Sequence, residues 1–112
     1  MSVTNHGKID AMGKNPDPAK RELTLCIMDH LDWEEEYEHL CTLQEKINGY
    51  IGFIDTKQFS ETYPQDEFDS YVIMIYFMHG MSENCLKFLD VVANQVKELN
   101  ISIAVDLGDD EE

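Results

Sequence analysis

From Leu23 to Met28 the side chains alternate, with Leu23, Leu25 and Ile27 on one side and Thr24, Cys26 and Met28 on the other. A period of two is the mark of a half-buried strand. Downstream the period changes. Leu40, Leu43, Ile47, Tyr50 and Ile54 recur three and four apart, flanked by Tyr37, Gln44 and Ile51. At 3.6 residues per turn these positions line one face of a long helix, and Glu34, Glu38, Glu45, Gly49 and Gly52 point the other way. Asp32 with Glu35 three residues later predicts a capping box, and Glu34, Glu35 and Glu36 suit the positive end of the helix dipole. The pattern predicts an end near Lys57.

Tyr71 to Met78 is apolar at every position. So short a run, flanked by polar segments, predicts a central strand shielded on both faces to some degree. Ser82 is placed to cap a second helix with a buried stripe of Cys85, Leu89, Val92, Val96 and Leu99. Asn100 suits the left-handed residue that often ends a helix. Ile101, Ile103, Val105 and Leu107 alternate as a last strand. Before all of these, Lys8 to Lys14 predicts a weak first strand. The loop Asn15 to Arg21 follows, where each proline fixes φ and lacks a donor.

The order is ββαβαβ. The connections through the second helix predict a parallel, right-handed crossover. The expected fold class is α+β: a two-layer domain with a four-stranded mixed sheet and two helices packed on one face. Residues 1–7 are expected to form a flexible N-terminus, 8–107 a single domain and 108–112 an acidic tail. The uncovered sheet face would carry either Tyr71, Ile73, Ile75 and Phe77 or Val72, Met74, Tyr76 and Met78, beside Cys26 and Met28. Contiguous apolar surface of that kind marks an interface, with a homodimer as one expected occupant.

Composition narrows the function classes. The chain has 112 residues, 43% of them hydrophobic, enough for one real core. Its longest apolar run falls far short of the roughly 20 residues a membrane helix needs, and no basic-then-apolar leader pattern opens the chain. A cytoplasmic location without membrane association is therefore expected. The net charge is −15. Residues 1–21 set Lys8, Lys14, Lys20 and Arg21 against Asp10 and Asp17, for +2, while the rest carries four basic and 21 acidic side chains, for −17. Such a field repels nucleic acid and attracts basic proteins.

Candidate chemistry is sparse. Asp29, His30, Glu36 and His39 are the densest ionisable group, and Glu36 with His39 has the i, i+3 spacing of metal ligands in helical carboxylate sites. Those sites need the motif twice, and it occurs once, so no metal or cofactor is expected. Cys26, Cys41 and Cys85 lie far apart without CxxC spacing and read as reduced thiols. His39 and Cys41, two apart on a helix, diverge by about 200° and cannot form a catalytic pair. No nucleophile elbow, phosphate loop or HExxH motif is present.

Leu23-Thr24-Leu25, Asp29-His30-Leu31, Trp33, Glu38-His39-Leu40, Leu43-Gln44, Lys46-Ile47-Asn48, Tyr50, Phe53-Ile54 and Tyr63-Pro64 together resemble a small bacterial domain family of unknown function. Its signature is similar to DHLxW followed by EHLxxLQxKINxYxxFI. Gly49 and Gly52 stand where alanine is more usual. The resemblance implies a fold but no activity. The expected function is a non-enzymatic acidic interaction module, in its most concrete form an immunity protein that inhibits a basic bacterial toxin. Its contact residues are expected among Glu34, Glu38, Glu45, Asp66, Glu67 and Asp69. A housekeeping or stress-related homodimer is the alternative, and a small metal protein or enzyme comes third.

Overall fold

A computed structural model describes residues 9–17 and 19–107. The expected flexible start at 1–7 and the tail at 108–112 lie outside the described residues, as does Lys8. The elements are β1 (Ala11–Lys14), β2 (Glu22–Asp29), α1 (Glu36–Asp55), β3 (Ser70–Phe77), α2 (Glu83–Val96) and β4 (Ile101–Asp106), with 3-10 turns at Gln58–Glu61 and Lys97–Leu99. The sheet order is β1-β2-β3-β4. β1 pairs antiparallel with β2, and β2, β3 and β4 are parallel. This is the α+β mixed sheet read from the sequence.

Strand parity separates the two faces. Leu23, Leu25, Ile27, Ile73, Ile75, Phe77 and Ile101 are buried and form one core with Leu43, Ile47, Tyr50 and Ile54 of α1 and Cys85, Leu89 and Val96 of α2. Both helices therefore cover the same face. The uncovered face carries Thr24, Cys26, Met28, Val72, Met74, Tyr76, Ser102 and Ala104, most of them only half-buried.

Ser82 caps α2 as expected, its hydroxyl accepting from the Cys85 N–H at 3.1 Å. Asn100 is left-handed, with φ 62°. Three local expectations are corrected. Asp32 does not cap α1: the helix starts at Glu36, no side chain caps it, and the Asp32 carboxylate closes a turn on the Glu34 N–H at 3.1 Å. Tyr37 and Gln44 are exposed because the buried arc of α1 turns away from them toward Phe53. Leu99 is 48% exposed because the last turn tightens to a 3-10 geometry and rotates it off the stripe.

Candidate functional site

Asp29 continues the buried alternation of Leu23, Leu25 and Ile27, so β2 delivers a carboxylate into the core at its C-terminal end. His39 lies on the buried arc of α1, one turn before Leu43, and is 2% exposed. Its Nε2 is 2.6 Å from Asp29 Oδ2, and its Nδ1 is 2.9 Å from the Asp32 carbonyl. A carbonyl oxygen only accepts, so Nδ1 donates to it, and the Asp29–His39 contact holds a further proton between them. Asp29 Oδ1 also accepts from the Leu31 N–H at 3.0 Å.

Trp33 stacks on His39, with ring centroids 3.7 Å apart, and its indole N–H donates to the Gly80 carbonyl at 2.9 Å. Gly80 has φ +69°, a conformation that suits glycine and turns the chain after β3 back toward Trp33. Ligands of open parallel sheets commonly bind beyond the carboxyl ends of the strands. Here Trp33, His39 and Gly80 fill the end of β2 and β3.

A second cluster joins β1, β2 and α1. Lys46 is fully buried, and its ammonium lies 3.0 Å from Asp10 Oδ1 and 5.4 Å from the centre of the Tyr50 ring. Asp10 Oδ2 accepts from the Met28 N–H at 2.9 Å, and the Asp10 N–H donates to the Tyr50 oxygen at 2.8 Å. Tyr50 in turn donates to the Cys26 carbonyl. Burial pushes the Tyr50 phenol up, against the opposing hydrogen bond from the Asp10 N–H, so the hydroxyl stays a donor.

The four residues considered for a metal do not converge. Asp29 and His39 satisfy each other, whereas Glu36 turns to the start of α2 and accepts from Asn84 Nδ2 at 3.2 Å. No group of three or more His, Cys, Asp or Glu side chains with metal-binding geometry occurs among the described residues. His30 Nδ1 is the one buried side-chain polar atom without a hydrogen-bond partner among them. The cysteines are unpaired. Burial, reinforced by the Asp29 and Glu36 charges, pushes the Cys85 thiol up to about 12. Cys26 is also raised, mainly by burial, with a hydrogen bond to Tyr76 acting the other way. Neither thiol is activated as a nucleophile.

Hydrogen bonds from Ser82 and Asn84 hold the exposed Glu36 carboxyl below its usual range. A depressed carboxylate contributes stability above its unfolded pKa and loses it as pH falls through the folded value. Wild type should therefore gain stability over Glu36→Gln as pH rises through the ordinary glutamate range, and the two should converge below it. Thermal melts of both proteins across acid pH check this, and parallel pH profiles would refute it.

The six acidic contact candidates divide into two groups. Asp66 pairs with Lys14 at 3.1 Å, Asp69 with Arg21 at 3.0 Å, and Glu67 lies 4.0 Å from the same Arg21. Asp66 and Glu67, with the hairpin cations, border a cleft of about 410 Å3 that also takes in Lys20 and Phe68. The acidic loop and the basic hairpin thus compensate each other, a pairing between segments about 50 residues apart that no local pattern reveals. Glu38 and Glu45 are exposed, on the side of α1 opposite its buried arc, whereas Glu34, expected on the same helix face, is exposed in the turn that precedes the helix. Tyr37, 78% exposed, stands beside them. Neither Glu34 nor Glu38 forms an ion pair among the described residues.

Sequence reasoning missed Asp29, His39 and Lys46 as core residues, although their positions announced them. Asp29 shares the parity of Leu23, Leu25 and Ile27, and His39 and Lys46 are in phase with Leu43, Tyr50 and Phe53. Asp29, Trp33, His39, Lys46 and Tyr50 are also residues that carry the family resemblance, so much of that signature builds the two buried clusters. No helix among the described residues is long and apolar enough to cross a membrane. Searches of the curated proteins and of the solved structures found no match. Residues 1–109 match the family of unknown function DUF6572, and the chain belongs to that family.

Proposed function

We propose that this protein is a non-enzymatic binding module that engages a basic protein through the outer face of α1. The observation that carries the reading is the exposed row of Glu34, Glu38 and Glu45 beside the protruding ring of Tyr37. Glu38 and Glu45 sit on a 20-residue helix whose opposite face is locked into the core, and Glu34 lies in the turn before it, so the helical carboxylates are held on a rigid support. Tyrosine is enriched in interface cores, and an acidic rim accelerates capture of a cationic target. Inhibition of a basic toxin, as in an immunity protein, is the most concrete form of this activity. The ion-paired acids of the 66–69 loop contribute to the overall field and leave the helix as the contact surface.

The test is affinity capture from the native host, followed by kinetics with the captured basic protein. Association should slow by about tenfold or more between low salt and roughly 0.5 M salt. Glu38→Lys/Glu45→Lys should weaken binding while leaving the melting temperature nearly unchanged. Binding indifferent to both salt and charge reversal would overturn the reading.

A further inference from the structure

We infer that a second copy of this chain pairs with the outer edge of β4, joining two four-stranded sheets into one of eight strands. β4 ends the sheet, and no other strand pairs with its outer side among the described residues. The Asn100 carbonyl accepts from the Tyr71 N–H, which fixes the phase of the ladder with β3. Alternate residues of a parallel strand face the neighbour, so Ile101, Ile103 and Val105 turn their N–H and C=O groups outward. Such a row is a template for another strand unless charge, proline or a bulge protects it. β4 has no proline, and its one charged residue is Asp106 at the far end. The opposite edge differs: β1 has only four residues, including Gly13 and ending in Lys14.

The edge is also self-complementary in shape. At the start of β4 a groove of about 430 Å3 opens between the strand and α2, lined by Ala93, Asn94, Lys97, Ile101 and Ile103. At its other end Val105 and Leu107 protrude, 40% and 42% exposed. An antiparallel second copy brings the protruding end of each chain to the groove of the other. With Ala104 on the two-fold axis, Ile103 lies opposite the second copy's Val105, and Ile101 opposite its Leu107. This register pairs side chains of the same face and uses the outward-facing backbone groups. The contact is isologous and therefore closes as a dimer. α1 lies over β2 and β3, away from this edge, so the dimer presents two acidic helix faces.

The two surfaces respond to salt with opposite sign. Chains of net charge −15 repel each other, so screening should tighten the dimer, whereas it weakens capture of a basic partner. Sedimentation of the full chain across concentration, at low salt and at roughly 0.5 M salt, should give a monomer–dimer equilibrium that shifts to dimer in salt. Val105→Lys, at an exposed site, should raise the dimer dissociation constant by about tenfold or more. Met74→Lys, at the centre of the uncovered sheet face, should leave it unchanged. Ala104→Cys should cross-link two copies through residue 104 under mild oxidation, identified by peptide mass. A strict monomer under all conditions overturns the inference. So does a dimer that Met74→Lys disrupts and Val105→Lys does not, which would place the contact on the open sheet face.

Discussion

Replacing Lys46 by methionine should destabilise the fold by about 3–5 kcal/mol, more than removal of a typical surface charge by an order of magnitude. The reason is what remains. The Asp10 carboxylate is 9% exposed and, among the described residues, would keep the Met28 N–H as the donor to its charge. Methionine fills most of the volume of the lysine stem, so cavity formation contributes little and the unpaired carboxylate dominates. Asp10→Asn/Lys46→Met should recover much of the loss, because asparagine still accepts from the Met28 N–H and no charge is stranded. Urea titrations of wild type, the single variants and the double variant give the cycle directly. A Lys46→Met protein within about 1 kcal/mol of wild type would show that the pair carries no stability.

The same residue explains why part of the fold was legible in the sequence and part was not. Apolar periodicity located both helices, β2 and β4, and an unbroken apolar run located β3, because burial of Leu23, Leu25, Ile27, Leu43, Ile47 and Ile73 needs no specific partner. Each of these side chains fits any apolar surroundings of suitable size. Lys46 is different. It is held in the core by Asp10, 36 residues away, and by the Tyr50 ring, and a helical phase that includes a lysine has two readings until such partners are known. His39 and Asp29 pose the same problem from opposite sides of one hydrogen bond. Asp32 fails for a related reason: its side chain serves a turn that aims Trp33 at Gly80, and that tertiary contact overrides the capping pattern.

The candidate contact surface shows the converse. Glu38 and Glu45 were legible because an exposed helix face follows from the buried one by geometry alone, whereas Glu34 falls outside the helix because α1 starts only at Glu36. The compensation of Asp66 and Asp69 by Lys14 and Arg21 was not, since it depends on the N-terminal hairpin docking beside the loop. Net charge on its own therefore overstated how much of the acidic surface faces outward uncompensated. An ion pair in this exposed setting contributes about 0.2–1 kcal/mol, so its main effect is on the local field, not on folding.

The Asp29–His39 pair should produce the second large effect, and Trp33 makes it directly observable. His39→Leu leaves the Asp29 carboxylate buried with the Leu31 N–H as its only remaining donor in the cluster, at a cost of about 3–5 kcal/mol. Asp29→Ala strips acceptors from both His39 and the Leu31 N–H and should cost a similar amount. The double replacement should cost less than the sum of the two, with a coupling energy of about 1–3 kcal/mol, since each single change already removes the shared bond. Trp33 is the sole tryptophan, stacked on the ring in question, so its emission should shift when His39 is replaced even where the variant remains folded. Trp33→Phe, which loses the donor to Gly80 but keeps a stacking ring, should cost only about 1 kcal/mol. Additive single effects with unchanged Trp33 emission would mean that the cluster is a set of separate contacts. Strong coupling with a shifted emission would identify it as one unit, in which a buried proton fastens β2 to α1 and the stacked Trp33 ties both to the turn after β3.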